Sequence, residues 1–201
     1  MEKSTKSAVR RILSQNITNS HVYPELSPAG VMVLMYVVDG CYKVLLNVRS
    51  ETVPEHKGEI SFPGGRWDEG DATLLDTALR ENHEEMGIWP ADVEVLGELE
   101  DQPTISNYVI RPFVGTITAP YLFKPNSREV AEVIEVPINN LLQSEGVRDE
   151  IRLVDGSLVN SPMYAYEGHL IFGATAKILR RFLEILDNLP HKDAEWKRKC
   201  P

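Results

Sequence analysis

The chain has 201 residues, 42% of them hydrophobic and 25% charged, with a net charge of −9. That size and mixture describe one folded globular domain with a core of its own, not a disordered or fibrous chain. The acidic balance argues against nucleic acid and anionic membrane as partners, and it obliges a phosphate-handling protein to supply cations locally, from a few arginines or from metal ions.

In chain order, residues 5–15 read as an amphipathic surface helix with Lys6, Arg10 and Arg11 on it. The same basic residues, with Lys3, fit a targeting helix less well because Glu2 intervenes and no apolar signal core follows. A polar stretch, Asn16 to Ser20, and a connector between Pro24 and Pro28 come next. Residues 31–38 are a continuous apolar run, which predicts a strand buried on both faces. Asp39-Gly40 offers a two-residue hairpin turn, and residues 42–48 form the returning strand. Residues 50–61 are a polar loop, followed by Gly64-Gly65, where a missing side chain permits close approach. Asp71 is placed to cap a helix that Gly87 can terminate. Strands are expected over 93–99 and 107–118, with Pro103 and Pro112 limiting pairing near them. Residues 130–136 alternate acidic and apolar side chains in strand fashion, and Leu141-Leu142 suggests a short helix. Further strands are expected near 150–154 and 162–171. Gly173 opens a last helix with Ile178, Phe182, Ile185 and Leu186 on one face, and from Pro190 the tail is polar and expected to fray. This order predicts an α/β fold, a mixed sheet covered by helices on both sides.

Cys41 and Cys200 are the only cysteines, a pair that makes neither a disulfide framework nor a zinc pattern, so a reduced cytoplasmic setting is expected. No apolar run reaches the roughly 18 residues of a membrane span.

The chemistry concentrates in the helix after Asp71. At about 100° per residue, Glu81, Glu84 and Glu85 fall within roughly a 100° arc, with Leu75, Leu79 and Met86 on the opposite face. Acidic runs are commonly just a solvated face. Here a glycine loop stands at a fixed distance ahead and Gly87 stops the helix. Three crowded carboxylates gain protons unless a cation offsets them, and a hard oxygen-seeking ion, Mg²⁺ or Mn²⁺, is the natural partner.

The pattern from Gly65 through Arg80, Glu81, Glu84, Glu85, Gly87 and Ile88 resembles the Nudix box, G-x5-E-x7-R-E-U-x-E-E-x-G-U with U apolar. Asp71 stands where the first Glu belongs, the stretch to Arg80 is one residue longer, and Asn82 fills an apolar position. The coenzyme A diphosphatase branch regularly carries that extra residue. Its upstream signature, L-L-T-x-R-[SA]-x3-R-x3-G-x3-F-P-G-G, is matched by Leu45-Leu46-Asn47-Val48-Arg49-Ser50, then Gly58, then Phe62-Pro63-Gly64-Gly65. Asn47 replaces the Thr and Pro54 the second Arg. Similarity continues in Arg111–Gly115, Glu129–Val133 and Phe172–Ala176, so that it spans residues 28–187.

The resemblance implies a Nudix fold, a curved mixed sheet in an α/β/α sandwich, over residues 28–189, with an N-terminal helix and connector over 1–27 and a polar tail over 190–201. It implies a metal-dependent hydrolase that cleaves coenzyme A or a derivative into 3′,5′-ADP and a 4′-phosphopantetheine product. Arg80, Glu81, Glu84 and Glu85 would be catalytic; Gly65 (through its carbonyl), Glu81, Glu84 and Glu85 would hold Mg²⁺ or Mn²⁺. Arg80 would hold a neighbouring glutamate, although a plain i,i+4 pair with Glu84 is its ordinary reading. Arg49, Ser50, Phe62 and Gly64 would meet substrate; Arg49 suits a phosphate contact or a surface ion pair, and Phe62 and Trp67 suit adenine stacking or packing. The general base is a box glutamate, Glu129 or Glu132. His56 and His83 receive no role. The partner would be a small nucleoside diphosphate derivative of the coenzyme A kind, with a homodimer allowed and not required. Hydrolysis of ADP-ribose or another nucleoside diphosphate derivative is the alternative reaction. A ligand-binding module without turnover is the alternative class, which the intact Arg80, Glu81, Glu84 and Glu85 set argues against.

Overall fold

Strand β1 (Ser27–Val38) organises the molecule, and its sequence explains why. Val31, Val33 and Met35 enter one hydrophobic cluster, while Met32, Leu34 and Tyr36 enter a second on the opposite face of the sheet. The period-two alternation of a strand thus spreads one unbroken apolar run over two cores. The fold comes from a computed structural model that describes residues 1, 3–15, 23–143, 147–154, 157–189, 196 and 200.

One edge of β1 pairs in parallel with β7 (Tyr108–Thr116), from Ser27↔Tyr108 to Leu34↔Gly115. The other edge is shared. Its first half pairs with β4 (Gly64–Arg66), placing Gly65 opposite Gly30, and its second half pairs with β2 (Cys41–Arg49) across the Asp39-Gly40 turn. β2 also carries β3 (Ile60–Ser61) and β8 (Val130–Pro137), and β7 carries β5 (Glu94–Glu98) and β6 (Gln102–Pro103), which completes an eight-stranded mixed sheet among the described residues. A second, three-stranded sheet holds β9 (Val147–Val154), β10 (Ser157–Tyr166) and β11 (His169–Ile171). Helix α2 (Leu74–Met86) covers one face with Ala78 and Met86. Helices α1 (Lys3–Gln15), α3 (Ile138–Leu142) and α4 (Gly173–Asp187) cover the other, and all four apolar positions expected on the last helix are buried there. The expected α/β/α sandwich is the observed fold.

Several local expectations are corrected. Helix α1 is anchored rather than a plain surface helix: Ala8, Val9 and Leu13 are buried in the first cluster, and Lys6 pairs with Glu94 at 2.5 Å. Pro112 limits pairing on one edge only. It stays inside β7 opposite Val31, so the β1 ladder is unbroken. On the other edge its carbonyl accepts from Leu99 N at 2.8 Å, but it has no N–H to return, and the β5 ladder ends at Glu98↔Phe113. The strand expected over 162–171 is broken at Glu167-Gly168, both with positive φ, into β10 and β11. Cys41 and Cys200, which sequence separation left as unrelated thiols, form a disulfide. Of the tail expected to fray, Trp196 is instead buried and meets Tyr42 edge to face at 6.4 Å. The Asn16–Ser20 stretch and the rest of the tail lie outside the described residues. Among the described residues, no helix is long and apolar enough to cross a membrane.

Candidate active site

The site forms where α2 faces β4 and the end of β2. Helix α2 starts at Thr73, not at Asp71: the Thr73 hydroxyl accepts from Asp76 N at 3.2 Å and donates to the Asp76 carboxylate at 2.8 Å, a reciprocal cap. Gly87 ends the helix in the left-handed conformation, with φ of 70°. Asp71 is freed for another task. Its carboxylate takes Arg80 Nε and Nη2 side by side, both at 2.9 Å, together with the Thr77 hydroxyl at 2.8 Å and Asp68 N at 3.1 Å. The Arg80 guanidinium beside it holds the Asp71 carboxyl well below the usual carboxylate range.

Arg80 also reaches Glu81 at 2.8 Å, Glu84 at 3.3 Å and the Arg66 carbonyl at 3.2 Å. Both readings of this arginine therefore hold: it grips a neighbouring glutamate, and it makes the i,i+4 pair. Asp71→Asn should lower the thermal midpoint by roughly 5–10 °C, since a charge-assisted forked pair contributes about 2–3 kcal/mol. The pH dependence follows from the depressed folded pKa. The carboxylate's contribution is complete above its unfolded value of about 4 and declines as pH falls through the lower folded value. The gap in urea midpoint between wild type and Asp71→Asn should thus narrow below about pH 4. An unchanged gap at pH 3 would show that the pair contributes little.

The three box glutamates differ sharply. Glu84 is 52% exposed in its side chain, Glu81 is 18% exposed and Glu85 is 3% exposed. Glu85 Oε2 accepts from Gly64 N at 3.1 Å and from Asn47 Nδ2 at 3.2 Å, while Oε1 lies 3.6 Å from Arg49 Nη1. Burial pushes the Glu85 carboxyl up to about 7, against the Gly64 bond and the Arg49 charge. Burial also raises Glu81, with the Glu84 and Glu129 charges adding to it and Arg80 opposing. Gly65 makes room for this crowding: a Cβ there would stand 2.4 Å from Glu81 Cδ. Gly64 has φ of 152°, a conformation open to few residues but glycine.

Among the described residues no three acidic, histidine or cysteine side chains converge as a ready-made metal cage. The donor set nevertheless suits a hard cation. Two acid-raised, desolvated carboxylates lie on one helix face, a third stands exposed beside them, and a side-chain-free Gly65 backs them. The residues present fit a hard divalent cation.

Of the expected substrate contacts, Arg49 and Gly64 do converge on this cluster. Ser50 is buried; its hydroxyl is engaged with Thr52 at 2.9 Å, and its N–H donates to the Glu129 carbonyl at 2.8 Å, so it joins two segments of the wall. Phe62 is a core residue, only 2% exposed, and its ring is not available to a base; the hydrophobic cluster around β1 claims it. Trp67, 43% exposed, has its Nε1 bonded to the Asp71 carbonyl at 3.0 Å. Of the two later acids, Glu129 faces the cluster. Asn126 binds it at 3.0 Å through its side chain and binds the Glu85 carbonyl at 2.9 Å through its backbone. Glu132 instead lies 3.5 Å from His169. His56 has a partner, Glu59 at 3.0 Å, and His83 stacks on Trp89. Motif reading noted Asn47 only as a replacement for Thr and gave it no role. Its signal was an amide set between the apolar Leu46 and Val48 of a mostly buried strand.

A family model for the NUDIX domain matches residues 27–155. The chain belongs to the Nudix family. It is 31% identical over 170 residues to the "Uncharacterized Nudix hydrolase NudL" of Yersinia pestis (strain Pestoides F), a match covering 84% of each chain. The protein of the same name from Yersinia pseudotuberculosis serotype O:1b matches to the same extent. Among solved structures, a Nudix hydrolase from M. smegmatis, RenU, superposes with a TM-score of 0.56 at 18% identity, covering 86% of this chain and 94% of that one. A MutT/nudix family protein from Enterococcus faecalis gives 0.55 at 17% identity over 97% and 78%. At such identities these two show the shared fold alone. This Nudix hydrolase is an enzyme acting on phosphoanhydride bonds.

Proposed function

We propose that this Nudix hydrolase cleaves the diphosphate of coenzyme A or a coenzyme A derivative, releasing 3′,5′-ADP and 4′-phosphopantetheine or its acylated form. The observation that carries the reading is the position of Arg49. The signature that resembles the coenzyme A branch runs along β2, and its arginine ends 3.6 Å from Glu85, the most buried box carboxylate. Glu81, Glu84, Glu85 and the Gly65 carbonyl would hold Mg²⁺ or Mn²⁺. Bound there, the ion would screen the phosphate charge and acidify a coordinated water. Arg80, tied to Asp71, keeps Glu81 and Glu84 in place. Arg49 offers its remaining guanidinium surface to a phosphate oxygen, and Glu129, whose charge acts on both Glu81 and Glu85, is the loop acid best placed to take a proton from water.

Arg49→Ala should lower kcat/KM on a diphosphate substrate by roughly 10- to 100-fold, the range for a lost charge-assisted bond, with the thermal midpoint nearly unchanged. A sharp fall in midpoint with normal kinetics per folded molecule would make Arg49 structural. The substrate is tested by comparing kcat/KM for coenzyme A, dephospho-coenzyme A and ADP-ribose at matched metal. Coenzyme A should lead. Pro54, standing where the branch has a second arginine, favours the alternative of a plain nucleoside diphosphate derivative. Lys57 in the same loop is the cation nearest in sequence to replace it. Faster hydrolysis of ADP-ribose than of either coenzyme A form would overturn the coenzyme A assignment. Equal rates on coenzyme A and dephospho-coenzyme A would show that the 3′-phosphate goes unread.

A further inference from the structure

Asn47 lies in the middle of β2, paired with Ser61 of β3 on one edge and Val133 of β8 on the other, and it is fully buried. An amide at such a position costs stability unless both its ends are bonded. Both are. The Ser61 hydroxyl donates to Asn47 Oδ1 at 2.6 Å, and Asn47 Nδ2 donates to Glu85 Oε2 at 3.2 Å. The carboxylate decides which way the amide faces: ionised, it only accepts, so the NH₂ end must meet it, and the Ser61 hydroxyl, able to donate or accept, gives its proton to the Oδ1 left on the other side. Gly64 N–H donates to that same Oε2 at 3.1 Å. Two donors therefore occupy one oxygen of Glu85, and the other, Oε1, is the one turned toward Arg49.

We propose that Asn47, held from behind by Ser61, is a positioning residue that pins Glu85 by Oε2 and presents Oε1 to the cation and phosphate side of the site. The relay Ser61–Asn47–Glu85 does for this carboxylate what outer partners do for metal ligands generally: it sets orientation from behind. A threonine at position 47, as in the resembling branch, has a shorter reach from the strand and no NH₂ to give. The asparagine thus makes this chain's hold on Glu85 its own. The inference rests on the reading of the glutamate face as a metal site.

The test measures Mn²⁺ affinity without substrate, from the free-ion EPR signal, beside the thermal midpoint and the KM-against-kcat split. Asn47→Leu keeps the volume, removes the donor, and leaves no orphaned amide. It should weaken Mn²⁺ binding by about 10-fold or more, the scale of outer-partner losses, with at most a small fall in the midpoint, because Gly64 N still bonds Oε2. Ser61→Ala should weaken binding less and should add nothing in the Asn47→Leu background, because the relay is already cut. Glu85→Gln is the control. If it weakens Mn²⁺ binding while Asn47→Leu leaves affinity and the kinetic split at wild-type values, the positioning role is wrong and the metal reading survives. If Glu85→Gln also leaves affinity unchanged, the metal reading fails and the positioning role fails with it.

Discussion

Glu85→Gln should lower turnover with Mg²⁺ or Mn²⁺ by about two orders of magnitude or more, because a metal's charge stabilisation supplies several kcal/mol at the reacting phosphate. The fold should survive. The glutamine oxygen can replace Oε2 and accept from Gly64 N and Asn47 Nδ2, which leaves its NH₂ toward Arg49. Removing a carboxylate that burial pushes up to about 7 also relieves a desolvated charge, so the thermal midpoint should hold or rise. Product formation at saturating metal, measured beside a melting curve, separates the two effects. Full activity of the variant with metal present, or of the wild type in EDTA, would sink the assignment of the glutamate face.

The second large effect is expected at adjacent glycines that fail for different reasons. A Cβ on Gly65 would meet the Glu81 carboxylate at 2.4–2.6 Å, the far end of a flexible side chain. Gly65→Ala should therefore push Glu81 aside and cut kcat/KM by roughly 100-fold, the scale of a misplacement of about 1 Å, with little change in melting. A Cβ on Gly64 would meet backbone instead, the Gly30 carbonyl at 2.4 Å and Val31 Cα at 2.5 Å, and at a positive φ. Gly64→Ala should thus lose stability first. Melting temperature and kcat/KM measured on both proteins decide it; a fully active Gly65→Ala would mean that the placement of Glu81 is not critical.

The box was legible because its spacing is helical arithmetic. Glu81, Glu84 and Glu85 share a face at any helix of standard pitch, and Gly87 stops that helix wherever it lies. The run over residues 31–38 announced a strand buried on both sides because nothing polar interrupts it, and the helix–strand order set the layered fold. These are local properties, determined within one or two turns or strands of chain. Distance along the chain hid the rest. That Glu85 is buried while Glu84 is half in solvent depends on β4 folding back beside β1. Asp71 was read as a cap because caps lie just ahead of helices, but the forked bond to Arg80 competes for it and Thr73 caps instead. By sequence Phe62 suits adenine stacking or packing, and the first hydrophobic cluster decides for packing. Cys41 and Cys200 stand 159 residues apart, and nothing near either one names the other; they meet where Trp196 buries against Tyr42, a long-range contact. The sequence by itself thus determined which residues carry charge on one helix face and which strand lies at the centre. Only the tertiary structure decided which of those charges lose their water, since desolvation comes from neighbours that pattern along the chain does not name.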